Sequence, residues 1–148
     1  RSGIFHEISY RAVIRGNVAR RNGGAGAQWV DGAGILVNSS RDVEIHDNTV
    51  EGNLNGIAAV QSARGSGAHG AYELANLYVH HNTVVMSEGR SGVVQNAGSA
   101  AVFTSMNVRF EANRYTLGST RPFAWKDGAH DPAAWKGFGH DVNGTFGR

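Results

Sequence analysis

The 148-residue sequence lacks cysteine and is poor in proline, methionine and lysine, with two residues of each. Without cysteine the chain can form no disulfide, thiol nucleophile or thiolate metal site. No apolar run approaches the ~20 residues that cross a bilayer as a helix. The 14 basic residues are scattered among 12 acidic ones, whereas nucleic-acid-binding domains usually concentrate basic side chains on one face. We therefore expect neither a nucleic-acid nor a membrane partner.

Glycine and asparagine are abundant, with 21 and 12 residues, and four of the asparagines belong to a repeated pattern. In each copy two apolar residues in alternate positions are followed by Asn, and a core-type residue stands seven positions after the first apolar one. Where the pattern is uninterrupted, from Ile35 to Ile57, the repeat is 22 residues long. The four copies begin at Ala12, Val43, Leu77 and Val108 and contain Asn17, Asn48, Asn82 and Asn113.

Short strands and turns at this spacing predict an all-β fold, a right-handed parallel β-helix of about four to five coils of ~22 residues. An antiparallel sandwich would also contain short strands, but it does not require a constant seven-residue interval in four consecutive copies. We expect the repeated asparagines to be structural, because an amide at a turn can bind its own backbone and the amide of the next coil.

The chain is predicted to be a single domain, residues 1–148, with turn insertions at 22–32, 61–75 and 97–106. We expect a C-terminal cap at 127–148, in which Asp131 is the N-cap of a short helix and Pro132 its first residue. No cap pattern precedes Gly3, so N-terminal coils are expected to be missing. An uncapped first coil predicts end-to-end self-association, or binding to an N-terminal fragment of the same protein.

Two stretches carry a family resemblance. Residues 3–17 resemble the central coils of secreted bacterial β-helix proteins, and residues 131–141 are similar to the closing segment of such proteins. The chain therefore resembles the pectate-lyase-like, right-handed parallel β-helix repeat superfamily. The resemblance implies a secreted or cell-surface protein that acts on an extracellular, often acidic, polysaccharide.

The first strand of each coil carries the most ionisable side chains on its outward face. Because side chains alternate along a strand, inward apolar positions leave two outward columns. These are Val13, Glu44, Tyr78, Arg109 and Arg15, His46, His80, Glu111. The resemblance implies that His46, His80 or Tyr78 is a general base or acid and that Arg109 or Arg15 binds a carboxylate, with Glu44 as a substrate contact. Arg64 and His69 of the second insertion are expected to wall the groove. A mixed-charge face that only maintains solubility is the alternative.

A second set of candidates lies beside the third strand of the coil. Glu7 is expected to share a column with Asn38, Val60 and Asn96, and a carboxylate one coil away would make it a glycosidase residue. Its alternative role is a turn carboxylate that binds backbone N–H groups. The segment from Gly23 to Val30, which contains Trp29, is expected either to cover an apolar outer strip or to stack on a sugar. That strip comprises Phe5, Leu36, Ala58, Val94 and Ala124.

The sequence predicts a polysaccharide lyase, epimerase or glycoside hydrolase, with a non-catalytic carbohydrate-binding or adhesive rod as the alternative. The motifs of polygalacturonases and mannuronan epimerases are missing, which disfavours both activities. We expect no cofactor and no metal. Ca²⁺ is the alternative that the resemblance leaves open, although it needs several converging oxygen ligands and the acids do not cluster in the sequence.

Overall fold

The computed structural model describes residues 1–24 and 29–148 and shows a parallel β-solenoid of about five turns. The predicted all-β parallel fold is confirmed. A 3₁₀ helix spans Ala100–Phe103 and an α-helix, α1, spans Pro132–Gly137. The strands are β1 (Ile4–Glu7), β2 (Tyr10–Arg15), β3 (Val18–Arg20), β4 (Ala33–Asn38), β5 (Arg41–His46), β6 (Thr49–Glu51), β7 (Asn55–Gln61), β8 (Ser66–Gly67), β9 (Gly70–Ala71), β10 (Leu77–His80), β11 (Thr83–Met86), β12 (Ser91–Gln95), β13 (Arg109–Glu111), β14 (Arg114–Leu117), β15 (Phe123–Trp125), β16 (Gly128–His130) and β17 (Thr145–Gly147).

Each coil contributes strands to three sheets that run along the solenoid. Sheet A has the order β1-β4-β7-β12-β15-β16, sheet B has β2-β5-β10-β13, and sheet C has β3-β6-β11-β14-β17. All neighbours are parallel except β15 and β16, and a separate hairpin of β8 and β9 lies in the second insertion. Ile35 pairs with Ile57, which is the predicted 22-residue repeat.

The core fills the space between the three sheets. Alternation along the strands turns one apolar column of each sheet inward, and Ile35, Ile45 and Val50 of the second coil have 0% of their surface exposed. Aromatic side chains replace the aliphatic ones near the C-terminal end, where Phe123 and Trp135 stack with ring centroids 4.6 Å apart. The interior is therefore continuous from coil to coil.

The repeated asparagines form a ladder along the turn between sheets B and C. Backbone N and Nδ2 of Asn17 both donate to Oδ1 of Asn48 at 3.0 Å, and the same double contact links Asn48 to Asn82 and Asn82 to Asn113. The residue before each ladder asparagine has a left-handed backbone, with φ between 52° and 67° in Gly16, Asp47, His81 and Ala112. The structural role predicted for these asparagines is confirmed.

The ladder ends at Asp141, whose side chain only accepts hydrogen bonds. Its Oδ1 receives the N–H and Nδ2 hydrogens of Asn113, and its Oδ2 receives the Tyr115 hydroxyl and Trp135 Nε1 at 2.8 and 2.9 Å. A carboxylate suits this position because all four of its partners donate. The same segment closes the edge of sheet B, since the Asp141 N–H donates to the Phe110 carbonyl.

The C-terminal helix begins as the sequence predicts. Asp131 is the N-cap of α1 and accepts from the Ala134 N–H at 2.8 Å, with Pro132 in the first turn. Trp135 from this helix is fully buried against the last coils. In the described part of the chain no helix is long and apolar enough to span a membrane. The expected association through the first coil stays a prediction.

The register of β12 differs from the expected one by two residues. Gly92 pairs with Ala58 and Val94 pairs with Val60, so Val94, not Asn96, continues the column of Glu7. The expected place of Val94 in the apolar outer strip, between Ala58 and Ala124, is taken by Gly92. Gly92 has φ +116°, and a Cβ there would collide with the backbone of Ala124. Gly92 is therefore required because two strands approach closely there, and it is not the counterpart of Gly56. The predicted register of β12, which treated the two glycines as equivalent, was wrong for this reason.

The apolar outer strip of sheet A is largely buried. Val30, in the first insertion, is 1% exposed and clusters with Leu36, Ala58 and Val94, whereas Phe5 remains 53% exposed. The cover expected from Gly23 to Val30 is thus present at Val30, while residues 25–28 lie outside the described part. Trp29 is 50% exposed.

Replacing Asp141 with Asn should destabilise the protein by about 1–3 kcal/mol, because any amide orientation places its NH₂ against a buried donor. Denaturant unfolding monitored by tryptophan fluorescence measures the change. Asp127→Asn, at an exposed position, is the matched control and should shift stability by less than about 0.5 kcal/mol. Equal effects of the two substitutions would contradict the proposed end of the ladder.

His140 should make the fold acid-sensitive. Burial lowers the pKa of His140 from 6.5 to about 4, so between these values the unfolded chain binds a proton that the folded chain does not. Stability therefore falls as pH decreases through this window, by about 3 kcal/mol in total from this residue. Unfolding curves of the wild type and His140→Phe at several pH values should diverge, with the variant less sensitive. Parallel pH dependences would overturn this assignment.

Candidate functional site

The outward face of sheet B carries the two columns expected from the sequence. Glu44 pairs with Val13 and Tyr78, and Tyr78 pairs with Arg109. His46 pairs with Arg15 and His80, and His80 pairs with Glu111. The predicted register of this face is confirmed. It follows from the inward positions of Val43, Ile45 and their counterparts, which force the intervening residues outward.

Four of these side chains form a continuous stack. The Arg109 guanidinium lies 4.1 Å from the centre of the Tyr78 ring. The His80 ring packs on the Tyr78 ring, with ring centroids 4.1 Å apart. The His80 ring also stacks on the His46 ring, with centroids 5.0 Å apart and an interplanar angle of 6°. Two of these contacts, Arg109 with Tyr78 and His80 with His46, join paired residues of neighbouring strands. The strand spacing, about 4.8 Å, is close to that of stacked rings, so the parallel register aligns these pairs. Tyr78 and His80 are two residues apart on β10.

Hydrogen bonds to two carboxylates hold the middle of the stack. The Tyr78 hydroxyl donates to Glu111 Oε2 at 2.5 Å, and this bond is the main cause that raises the pKa of Tyr78. His80 Nε2 lies 2.8 Å from Glu44 Oε1, and that bond is the main cause that lowers the pKa of Glu44. Tyr78 is therefore a protonated phenol at neutral pH, and Glu44 is a carboxylate.

His80 has both ring nitrogens engaged. Nε2 contacts Glu44, and Nδ1 lies 2.8 Å from Nδ1 of His81. A single proton must lie between the two Nδ1 atoms, so one ring donates and the other accepts. With both nitrogens occupied, His80 is not free to take a proton from a ligand. The arrangement fits a positioning role for this residue.

His46 is the histidine of the stack with an available nitrogen. Its Nδ1 lies 2.6 Å from Asp47 Oδ2, and this hydrogen bond is the main cause that lowers the pKa of Asp47. Nε2 of His46 forms no hydrogen bond with any residue in 1–24 or 29–148. An imidazole oriented by a carboxylate through Nδ1 presents Nε2 as a proton acceptor, which is the geometry of a general base.

A groove of about 410 Å³ crosses this face next to the stack. Tyr78 and Arg109 line it, together with three residues that the sequence argument did not select, Arg11, Asp42 and Asn76. These three have left-handed backbones, with φ of 44°, 60° and 50°, and Asn76 Nδ2 donates to Asp42 Oδ1 at 2.9 Å. The alternating pattern did not include these residues, which precede it, or Asp47 and His81, which follow it. Stacked Asx residues at strand starts are the signal that could have identified Asp42 and Asn76.

The insertion residues expected to wall the groove lie elsewhere. His69 packs its edge on Tyr10, with ring centroids 5.2 Å apart, and Tyr10 is held by the hairpin of β8 and β9 through a bond to the Gly70 carbonyl. Arg64 is exposed. Neither is among the described residues that line the groove.

Glu7, Asn38 and Trp29 belong to sheet A and its surroundings, away from the stack. Asn38 Nδ2 donates to Glu7 Oε2 at 3.3 Å, at the ends of paired strands β4 and β1. Trp29 borders a separate cavity of about 210 Å³ with Arg90 and Val94. The structure therefore gathers His46, Tyr78, His80, Arg109 and Glu44 on one face, with Arg15 beside them, and leaves these three apart.

Among the residues in 1–24 and 29–148, no three or more His, Asp or Glu side chains are arranged to hold a metal ion. Neither a protein-family model, nor a curated protein, nor a solved structure matches the chain.

Removing the His80 imidazole should raise the pKa of Glu44 towards the usual glutamate range, because the hydrogen bond that favours the carboxylate is lost. Carbon-13 NMR titration of the glutamate carboxyl groups in wild type and His80→Asn measures the shift. His69→Asn, a change of the same kind outside the groove, should leave the Glu44 titration where it is. An unchanged Glu44 pKa in His80→Asn would contradict the contact.

Proposed function

We propose that the chain is part of a secreted or cell-surface, pectate-lyase-like β-helix protein that acts on an acidic polysaccharide at the outward face of sheet B. The observation that carries this proposal is His46, whose Nδ1 is held by Asp47 while Nε2 has no partner among the described residues. His46 is not among the described residues that line the groove, but it lies two residues beyond Glu44, which does. The reaction is proton abstraction or glycosidic hydrolysis.

The side chains around the groove supply complementary roles. His46 takes a proton, and Asp47 orients its ring and stabilises the imidazolium that forms. The Tyr78 hydroxyl already donates its hydrogen to Glu111, and its raised pKa keeps it from acting as a base at neutral pH. His80, hydrogen-bonded to Glu44, holds the stacked side chains in position.

Charge pairing favours an acidic ligand. The two acids that line the groove already have protein partners, Asp42 with Asn76 and Glu44 with His80. Arg11 and Arg109 line the same groove, and neither forms an ion pair within the described residues. A guanidinium without a carboxylate partner binds a carboxylate in a two-pronged geometry, so uronic acids fit this groove better than neutral sugars.

The second candidate is a carbohydrate-binding or adhesive rod without catalysis. It is favoured by the mutual satisfaction of Tyr78, Glu111, His80 and Glu44, which leaves few groups on the face free for chemistry. In this function the groove binds the polysaccharide and His46 is one more contact.

Incubation of the chain with pectin, alginate and glycosaminoglycans tests the two functions. Ultraviolet-absorbing unsaturated products indicate a lyase, and new reducing ends without them indicate a hydrolase. His46→Ala should lower turnover by about 10²–10⁴-fold, as expected for loss of a general base, and Arg109→Ala should weaken substrate binding.

The controls are His69→Ala and Arg114→Ala, which remove the same side-chain types from exposed positions outside the groove. Full turnover in His46→Ala would rule out the assigned base. Binding without turnover in the wild type would support the rod.

A further inference from the structure

We propose that Glu44, His80 and His81 form a proton relay that exchanges a proton with solvent or a ligand at Nε2 of His81. The relay takes up one proton at its exposed end, on His81, and holds the positive charge at its inner end, on His80 beside Glu44. It gives the face a second proton-transfer group besides His46. The proposal goes beyond the proposed function, because it concerns where this face holds a proton and not which ligand it binds.

The hydrogen bonds of the three side chains have a defined direction. Glu44 is a carboxylate, so it can only accept, and Nε2 of His80, 2.8 Å away, must carry a hydrogen. In a neutral His80 ring Nδ1 is then an acceptor. Nδ1 of His81 lies 2.8 Å from it and must therefore be the donor. Nε2 of His81 keeps a lone pair, and this atom forms no hydrogen bond within residues 1–24 and 29–148.

The turn between sheets B and C brings the His81 ring back onto His80. His81 has a left-handed backbone, with φ 53°, and its ring stands edge-on to the His80 ring with centroids 5.1 Å apart. Asp47 occupies the same position one coil earlier, with the same φ, and its carboxylate contacts Nδ1 of His46. A carboxylate there only fixes the hydrogen on Nδ1, whereas an imidazole can accept a proton on one nitrogen and release another from the second.

One added proton passes through the relay without the loss of a hydrogen bond. A proton that binds Nε2 of His81 makes that ring an imidazolium, and the hydrogen on its Nδ1 then moves to Nδ1 of His80. Donor and acceptor exchange roles: His81 is neutral again, with its hydrogen on Nε2, and His80 carries the charge. The N–H bond from His80 to Glu44 stays in place. A second proton does not fit, because two hydrogens would then face each other between Nδ1 atoms 2.8 Å apart.

The surroundings favour the charge on His80. A hydrogen-bonded carboxylate stabilises an imidazolium, and Glu44 is in that position on His80, whose side chain is 14% exposed. His81 is exposed and forms no ion pair in the described part of the chain. The other ionisable groups around the two rings are Glu111, the strand partner of His80, Asp47, whose pKa both histidines help to lower, the stacked His46 and Tyr78, and Arg109 on the Tyr78 ring.

Long-range proton–nitrogen-15 NMR spectra of the histidine-labelled chain test the relay, because they show which ring nitrogen carries a hydrogen. At alkaline pH His80 should carry it on Nε2 and His81 on Nδ1. As the pH falls through the imidazole range, one added proton should move the His81 hydrogen to Nε2 and leave His80 protonated on both nitrogens. Two rings that merely touch would behave differently, because the exposed His81 would itself become the imidazolium.

Two variants with matched controls locate the parts of the relay. Glu44→Gln removes the charge and keeps the shape of the side chain, so the added proton should stay on His81 and the tautomer exchange should be lost. Glu51→Gln, the same change on sheet C, should leave the exchange intact. His80→Asn should give His81 a direct titration from neutral ring to imidazolium, whereas His69→Asn should not alter the behaviour of His81.

A tautomer exchange at His81 that requires both Glu44 and His80 establishes the relay. Three results would overturn it: an imidazolium at His81 in the wild type, a neutral His81 with its hydrogen on Nε2 at alkaline pH, or an exchange that persists in Glu44→Gln. The spectra are recorded without a ligand. Failure of the relay is therefore distinct from failure of the proposed function, which the polysaccharide incubations decide.

Discussion

The asparagine ladder links successive coils of the solenoid and sets their alignment. Each coil must turn sharply between sheets B and C, and residues such as Asp47 and His81 adopt the left-handed backbone for this turn, which is unfavourable for most L-residues. The asparagine that follows donates a hydrogen bond to a carbonyl of the turn and others to the asparagine of the next coil. One residue therefore fixes both the local bend and the alignment of neighbouring coils. Asp141 completes the ladder with an acceptor that needs no further coil.

Alignment by the ladder has a direct chemical consequence on sheet B. Because Asn48 lies over Asn82, His46 must lie over His80 two residues earlier. The same register places Tyr78 beside Arg109 and within reach of Glu111. The arrangement of side chains on this face is thus a by-product of the structural repeat. Substitutions in the ladder should disturb the face as well as the stability of the fold.

Sequence reasoning succeeded where the repeat was regular. In sheet B the constant seven-residue interval tied each strand to a ladder asparagine, and the outward columns could be written down before any coordinates. It failed in β12, where Gly92 looked like the turn glycine Gly56 but meets the backbone of Ala124. It also missed Arg11, because alternation along a strand does not describe residues with positive φ.

Periodicity and residue type are enough to predict the solenoid, the position of the ladder and the side chains that share the face of sheet B. Which of those side chains are available for a ligand depends on how the coils stack. His46 and His80 are equivalent in the repeat, yet His80 has both nitrogens occupied while Nε2 of His46 has no partner in the described part. Hydrogen-bond partners come from neighbouring coils and from adjacent turn residues, and their geometry exists only once the coils are stacked.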